Sequence, residues 1–555
     1  MKPLAAVIAA LTIVASAACG GDASGDGTTT DGDAPATDGG PLPDAQAVDP
    51  PAATCTAPIA AVDTTTPDHV VGDGTAGSCT EAALRSALAD GGVVTFACGA
   101  VPAVIAIGTT LELRTDVNTT IDGGGTVTLD GGATTRILSF QHPDYRVNGT
   151  VLTLQHLAFT RGRATGTRRY AAAPAPCSQG FYDGSGGALE MRDGELVVID
   201  SQFITNRAES LGPDVGGGAI ALLGVRRAVI VGSVFQGNRG SNAGAIGVLN
   251  SELSIYNSTF DGNVAEGHGA NGDDASGCAV VAETGQHQTG SGGNGGAIAI
   301  DGGDDLTHTF CGVRFSANQG GEEALGGALF RTPDRAKQST IIDRSTFASN
   351  HGYSAGAAYF HNSSLQIVAS AFVANTASHG SGALQADGTT FDITNVTFAE
   401  NSALLGLGGA LSLFGGDGAI TFTTFANNHA DGGDPYFGAA IGGNPTLGLR
   451  GDLFVNNTAR NPGAPMQCQV TGTGDGNLQF PRTHVVGTAD DAACTPTTTF
   501  ADPLLGMLGD HGGPTPSLVP GSGSPAIGAA GACPATDQRG SPRPSARCAS
   551  GSIEP

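Results

Sequence analysis

The feature that most restricts this chain is a pair of residues at a fixed offset. A Phe followed three positions later by Asn occurs nine times, in QFITN, VFQGN, TFDGN, RFSAN, TFASN, AFVAN, TFAEN, TFANN and LFVNN. The pairs are Phe203 with Asn206, Phe235 with Asn238, Phe260 with Asn263, Phe315 with Asn318, Phe347 with Asn350, Phe372 with Asn375, Phe398 with Asn401, Phe425 with Asn428 and Phe454 with Asn457. Successive Phe lie 25 to 32 residues apart except across one gap of 55, which holds a Gly, Asn and Asp-rich stretch, 266–294, that reads as a long surface loop.

A second motif alternates with the first: GGAL at 186–189, GGAI at 217–220, AGAI at 243–246, GGAI at 295–298, GGAL at 326–329, SGAL at 381–384 and GGAL at 408–411. Between the motifs lie runs such as ELVVID (195–200) and SLQIVA (364–369), whose alternation and β-branched content read as strands. Gly makes up 88 of 555 residues, about twice its usual share, which suits many tight turns and few helices. A unit of ~25 residues cannot close a core alone, but units stacked ~4.8 Å apart can share one column of side chains. The expectation is therefore an all-β, right-handed parallel β-helix with a short N-terminal capping helix. Each Phe points inward on the Phe above and below, and each Asn sits at a bend, where it tolerates the left-handed region and bonds along the stack.

The termini carry other signals. Met1-Lys2, an apolar run from Leu4 to Ala15 and small residues before Cys19 read as an export signal, 1–18. Ser16-Ala17-Ala18-Cys19 resembles a bacterial lipobox, which implies lipidation of Cys19; Ala15-Ser16-Ala17 also fits ordinary secretion. Residues 19–54 contain seven Asp and no Lys, Arg or aromatic, a composition suited to a polar tether. After Cys19, ten Cys remain, an even number, as expected of an exported chain with disulfides. Cys79 with Cys98, Cys468 with Cys494 and Cys533 with Cys548 are plausible local pairs, while Cys177, Cys278 and Cys311 fall in or beside insertions. None stands in a CxxC pair, so zinc is not expected.

The paired repeats over roughly 150–460 resemble those of polymorphic outer-membrane proteins, β-helices displayed at cell surfaces and implicated in adhesion. CTEAALRSAL from Cys79, followed by Val93-Val94-Thr95-Phe96, resembles the CSLREAI-type segment that precedes such helices; by its residues it is a short helix capped by Thr80 and ended by Gly91-Gly92. DPLL at 502–505, GGPTPSL at 512–518, GSPAI at 523–527 and TDQRGSPRP at 536–544 resemble the choice-of-anchor Q domain. The organisation expected is a cap over 55–100, the β-helix over 101–470 and a C-terminal cap over 471–555.

A net charge of −26 with two Lys disfavours nucleic acid as a partner. Pectin-lyase-like enzymes share the architecture, and polygalacturonases carry Asp-Asp and Gly-His-Gly pieces. Gly267-His268-Gly269 and Gly272-Asp273-Asp274 supply both, in reversed order and within a Gly-rich insertion. No catalytic or metal-ligating set is assigned. No cofactor is needed; Asp304-Asp305 offers at most a weak calcium site. The expected role is binding of an extracellular polysaccharide or surface protein, with the membrane reached through an N-terminal lipid. The alternatives are a polysaccharide lyase or hydrolase and a passive spacer.

Overall fold

The computed structural model describes residues 54–555 apart from 101, 171–176, 178, 270–277, 279–289, 304, 334–337, 407, 433–437 and 485–488. Each turn consists of up to four short strands separated by bends. In one turn Leu384–Asp387 leads to Thr390–Thr394, Thr397–Ala399 and Ser402–Ala403 before Leu411–Phe414 opens the next. Each strand pairs in parallel with its counterpart one turn on: Leu384 with Leu411, Phe391 with Gly418, Thr397 with Thr424 and Ser402 with His429. Among the described residues the first strands form an 11-stranded sheet and the fourth a two-stranded and a five-stranded one. The second and third strands share a 25-stranded sheet, joined through the long strands Thr119–Asp130 and Val151–Thr160. The architecture is a parallel β-helix of about 13 turns.

The third strand explains the spacing of the Phe. Its three residues put one side chain inward, and stacking in register places Phe203 on Phe235, Phe235 on Phe260, and so on to Phe454. All nine are fully buried, with ring centroids 4.5–5.2 Å apart. Each ring contributes roughly 1.5–3 kcal/mol by burial and about 0.5–1.5 more by contact with the next. Phe159 is a tenth member, stacked on Phe203 at 4.8 Å.

The bend after the Phe differs from the sequence expectation in one respect. The left-handed residue is the one before the Asn: Thr205, Ala317, Ser349, Ala374, Glu400, Asn427 and Asn456 have φ of 52–60°. Such a conformation costs roughly 1–2 kcal/mol for a residue with a Cβ. The Asn that follows offsets that cost, because its amide lies inside the stack and bonds to the turns on both sides.

At the N-terminal end the helix Glu81–Leu88 starts at Thr80, whose Oγ1 accepts the Ala83 N–H at 3.2 Å, and it lays Leu84, Ala87 and Leu88 on the core. Solenoid strands continue past residue 470, at Leu478–Phe480 and Thr499–Phe500. The segment beyond residue 500 does not simply plug the open end. It folds back along the third strands, where Leu518 and Ala526 pack on Ala399, Ala426, Leu453 and Leu478. The described residues belong to one compact unit.

Candidate functional site

Two ladders run inside the solenoid. In the first, Asn375 donates its backbone N–H to Asn401 Oδ1 (3.0 Å) and its Nδ2 to Phe347 O and Asn401 Oδ1 (both 2.9 Å), while its Oδ1 accepts the Asn350 N–H and Nδ2. The same pattern joins Asn206, Asn238, Asn263, Asn318 and Asn350, then Asn401, Asn428 and Asn457. Above Asn206 the ladder meets Gly162, and below Asn457 it meets Gln467 Oε1 at 2.7 Å.

The second ladder follows the corner between the second and third strands. Ser201 N–H donates to Ser233 Oγ, Ser233 N–H to Ser258 Oγ and Ser345 N–H to Ser370 Oγ. Thr423 N–H donates to Asp452 Oδ1, and Asp452 N–H to Asn477 Oδ1. This position lies two residues before each Phe and is Ser in five of the nine repeats; Val313 and Val396 offer no side-chain acceptor there and interrupt the ladder. Asp452 is the exception with a chemical consequence: it is fully buried, its Oδ2 has no partner among the described residues, and burial pushes its carboxyl well above the usual range.

The same corner is covered from outside by both ends of the described chain. Val62 and Thr64 bond to Gln155 and Asp122, Cys55 accepts and donates backbone bonds with Asn257, and Arg344 Nη1 donates to Thr54 O at 2.8 Å. Burial pushes the Asp122 carboxyl up, but bonds from Thr64, Gly124, Gln155 and His156 outweigh it and hold the group below its ordinary value. Further along, Thr515 Oγ1 donates to Ala369 O, Arg543 Nη2 to Asn395 Oδ1, and Gly551 N–H to Gly451 O.

Where the two coverings meet there is a cavity of about 530 Å³ lined by Thr54, Asp343, Arg344, Gly513, Asp537 and Arg539. Its charges are already satisfied. Asp343 Oδ2 takes Arg344 Nε and Nη2 (3.0 and 2.6 Å), and Asp537 Oδ2 takes Arg539 Nε and Nη2 (3.0 and 2.7 Å).

A second concavity, about 410 Å³, lies on the outer face of the second strands. There Ser339, Ser364 and Thr390 stand in register on three successive turns, and Ile341, Gln366 and Asp392 form the adjacent row. Ser364, Gln366, Thr390 and Asp392 are exposed. Hydroxyls, an amide, a carboxylate and one apolar side chain at one-turn intervals can hydrogen-bond an extended polar ligand lying along the stack.

Ten Cys form five disulfides: Cys55–Cys311, Cys79–Cys98, Cys177–Cys278, Cys468–Cys494 and Cys533–Cys548. Cys55, Cys311 and Asp343 lie close enough to suggest a metal site, but the two sulfurs are bonded to each other at 2.02 Å and are not thiolate ligands. Gly267, His268 and Gly269 pack beside Gly293 and Ser291, while Asp273, Asp274 and Asp304 lie outside the described residues, as do Cys19 and the tether. His308 is a buried core residue pushed down to about 3, first by burial and then by the Arg331 charge. Among the described residues no helix is long and apolar enough to cross a membrane.

Disulfides persist in oxidising compartments, so five of them on a β-helix mark an exported or extracellular protein of the parallel solenoid class. No protein-family model matches the chain, and no curated protein is detectably similar to it.

Proposed function

We propose that this chain is a cell-surface binding protein that holds an extracellular polysaccharide along the outer face of its second strands. The observation that carries the reading is the row of half-buried Ser339 and exposed Ser364 and Thr390 beside Ile341, Gln366 and Asp392, one residue of each row per turn along an open groove. A ligand chain parallel to the stack meets a hydroxyl at each turn, from Ser339, Ser364 and Thr390, so weak contacts add through repetition. The resemblance to polymorphic outer-membrane proteins supports display and adhesion. The lipobox-like Ser16-Ala17-Ala18-Cys19 supports a lipid anchor at Cys19.

The test is retention of the purified protein on immobilised neutral and acidic polysaccharides, with reducing ends and unsaturated products followed in parallel. Binding without products, weakened about tenfold or more by Gln366→Ala with Thr390→Ala, is the expected result. Unchanged binding in that double variant would remove the groove from the reading, and product release would replace binding with catalysis.

A further inference from the structure

A row of three arginines stands apart from the groove. Arg163, Arg207 and Arg239 occupy the position just after the bend on successive turns, with Arg163 paired in register to Arg207 and Arg207 to Arg239. Neighbouring turns lie ~4.8 Å apart. Further along the same row stand Val264, Gln319, His351 and Thr376, so the cations are confined to three turns. Like charges directly across neighbouring strands destabilise a sheet, and a chain with net charge −26 and 25 Lys and Arg in 555 residues does not stack three by composition alone.

One carboxylate answers them. Glu266 Oε1 lies 2.9 Å from Arg207 Nη2 and 3.1 Å from Arg239 Nη1, and its Oε2 is 3.2 Å from Arg207 Nη2. Arg163 has no ion-pair partner among the described residues, and Arg207 Nε is buried without an acceptor. Both paired arginines keep over two-fifths of their side chains exposed, at 42% and 46%. Glu266 thus shows what the row holds: an oxyanion shared between guanidinium groups of adjacent turns.

We propose that Arg163, Arg207 and Arg239 form a binding site for an anionic polysaccharide, carboxylated or sulfated, whose charged groups engage the row turn by turn. The planar guanidinium fork suits both oxyanions. An acidic peptide in extended form repeats its same-face side chains every ~6.6 Å, out of step with the ~4.8 Å turns. The site is separate from the hydroxyl groove but rests on the same polysaccharide-binding reading.

The test measures binding of the full chain to a polyuronate, a sulfated glucan and uncharged dextran at low and at raised salt. Binding of one or both polyanions that weakens with salt is expected, because exposed charges are screened. Arg163→Gln, Arg207→Gln, Arg239→Gln should lower that affinity about tenfold or more, leave any dextran binding unchanged and flatten the salt dependence. Glu266→Gln, which removes the internal competitor, should raise it. The polyuronate and sulfated arms distinguish the two anion chemistries. Polyanion binding indifferent to both variants, or no polyanion binding at low salt, would overturn the site. Loss of dextran binding in the groove variant alone bears on the groove and leaves the arginine row standing.

Discussion

Asn375→Leu is the sharpest probe of the internal ladder. The substitution leaves the backbone bond to Asn401 in place but removes four side-chain bonds: two given by Nδ2, to Phe347 O and Asn401 Oδ1, and two accepted by Oδ1 from Asn350. The Asn350 N–H then has no acceptor in a fully buried site, at about 1–3 kcal/mol. The remaining bonds cost roughly 0.5–1.5 kcal/mol each, while the added apolar surface returns about 1–2 kcal/mol. The net expectation is a loss centred on about 3.5 kcal/mol. Because a solenoid is stabilised turn by turn through its nearest neighbours, the damage should be local. Urea melts should give the magnitude, and hydrogen exchange should show protection falling first in the turns of Asn350, Asn375 and Asn401. A loss below about 0.5 kcal/mol, the range of an ordinary surface substitution, would refute the energetic role given to the ladder.

Phe372→Ala should cost about 3–5 kcal/mol in the same melts, since the Phe347 and Phe398 rings on either side cannot close the gap. Asp452→Asn should stabilise the protein at neutral pH. Burial pushes the wild-type carboxyl well above its ordinary range while the unfolded chain ionises above about 4, so wild-type stability falls as pH rises from there towards the folded-state value. The difference should vanish below that pH, and melts of both proteins at acid and neutral pH would show whether it does. Cys311→Ser opens a loop with a sequence separation of 256 and should cost about 5 kcal/mol on chain-entropy grounds; a loss no larger than that of a surface substitution would count against the clasp. Cys19→Ala should move the protein from the detergent phase to the soluble fraction, and a wild type already soluble would favour ordinary secretion.

The repeated Phe and Asn made the solenoid legible because each turn repeats the same inward position, and the two motifs alone define where a turn closes. Phe159 carries no such signal because Gly162 stands where the other turns have Asn, although the Gly162 N–H takes the same kind of partner, Asn206 Oδ1. The second ladder is harder to see. Ser201, Ser233, Ser258, Ser345 and Ser370 share it with Thr423, Asp452 and Asn477, residues joined only by an oxygen at the same reach. The arginine row is legible only in part: Arg207 and Arg239 each directly follow the Asn of a repeat, whereas Arg163 follows Gly162, where that Asn is missing and no motif marks the turn. The covering of one corner by both ends of the described chain depends on long-range contacts, such as Arg543 with Asn395, that no local pattern encodes.

Where the N-terminal covering begins decides how the solenoid would carry load if it is anchored through Cys19 as proposed. A leader followed by a cap suggests a rod attached at its end. Thr54 and Cys55 instead lie against Asn257, Gly312 and Arg344, at the level between Phe260 and Phe347 in the Phe stack. The stack continues to Phe159 on one side and to Phe454 on the other. With the proposed anchor at Cys19, tension from the sequence before residue 54 would enter through the Cys55–Cys311 bond in the middle of the stack and bypass the helix Glu81–Leu88 and the first turns. A ligand held on Ser339, Ser364 and Thr390 loads the turns just beyond Cys311. One held on Arg163, Arg207 and Arg239 pulls through turns on the other side of the clasp. If the chain is held through its N-terminal segment and binds as proposed, the two surfaces would sit on opposite sides of the point where force enters, and the disulfide would let either be loaded without drawing on the turns that carry the other.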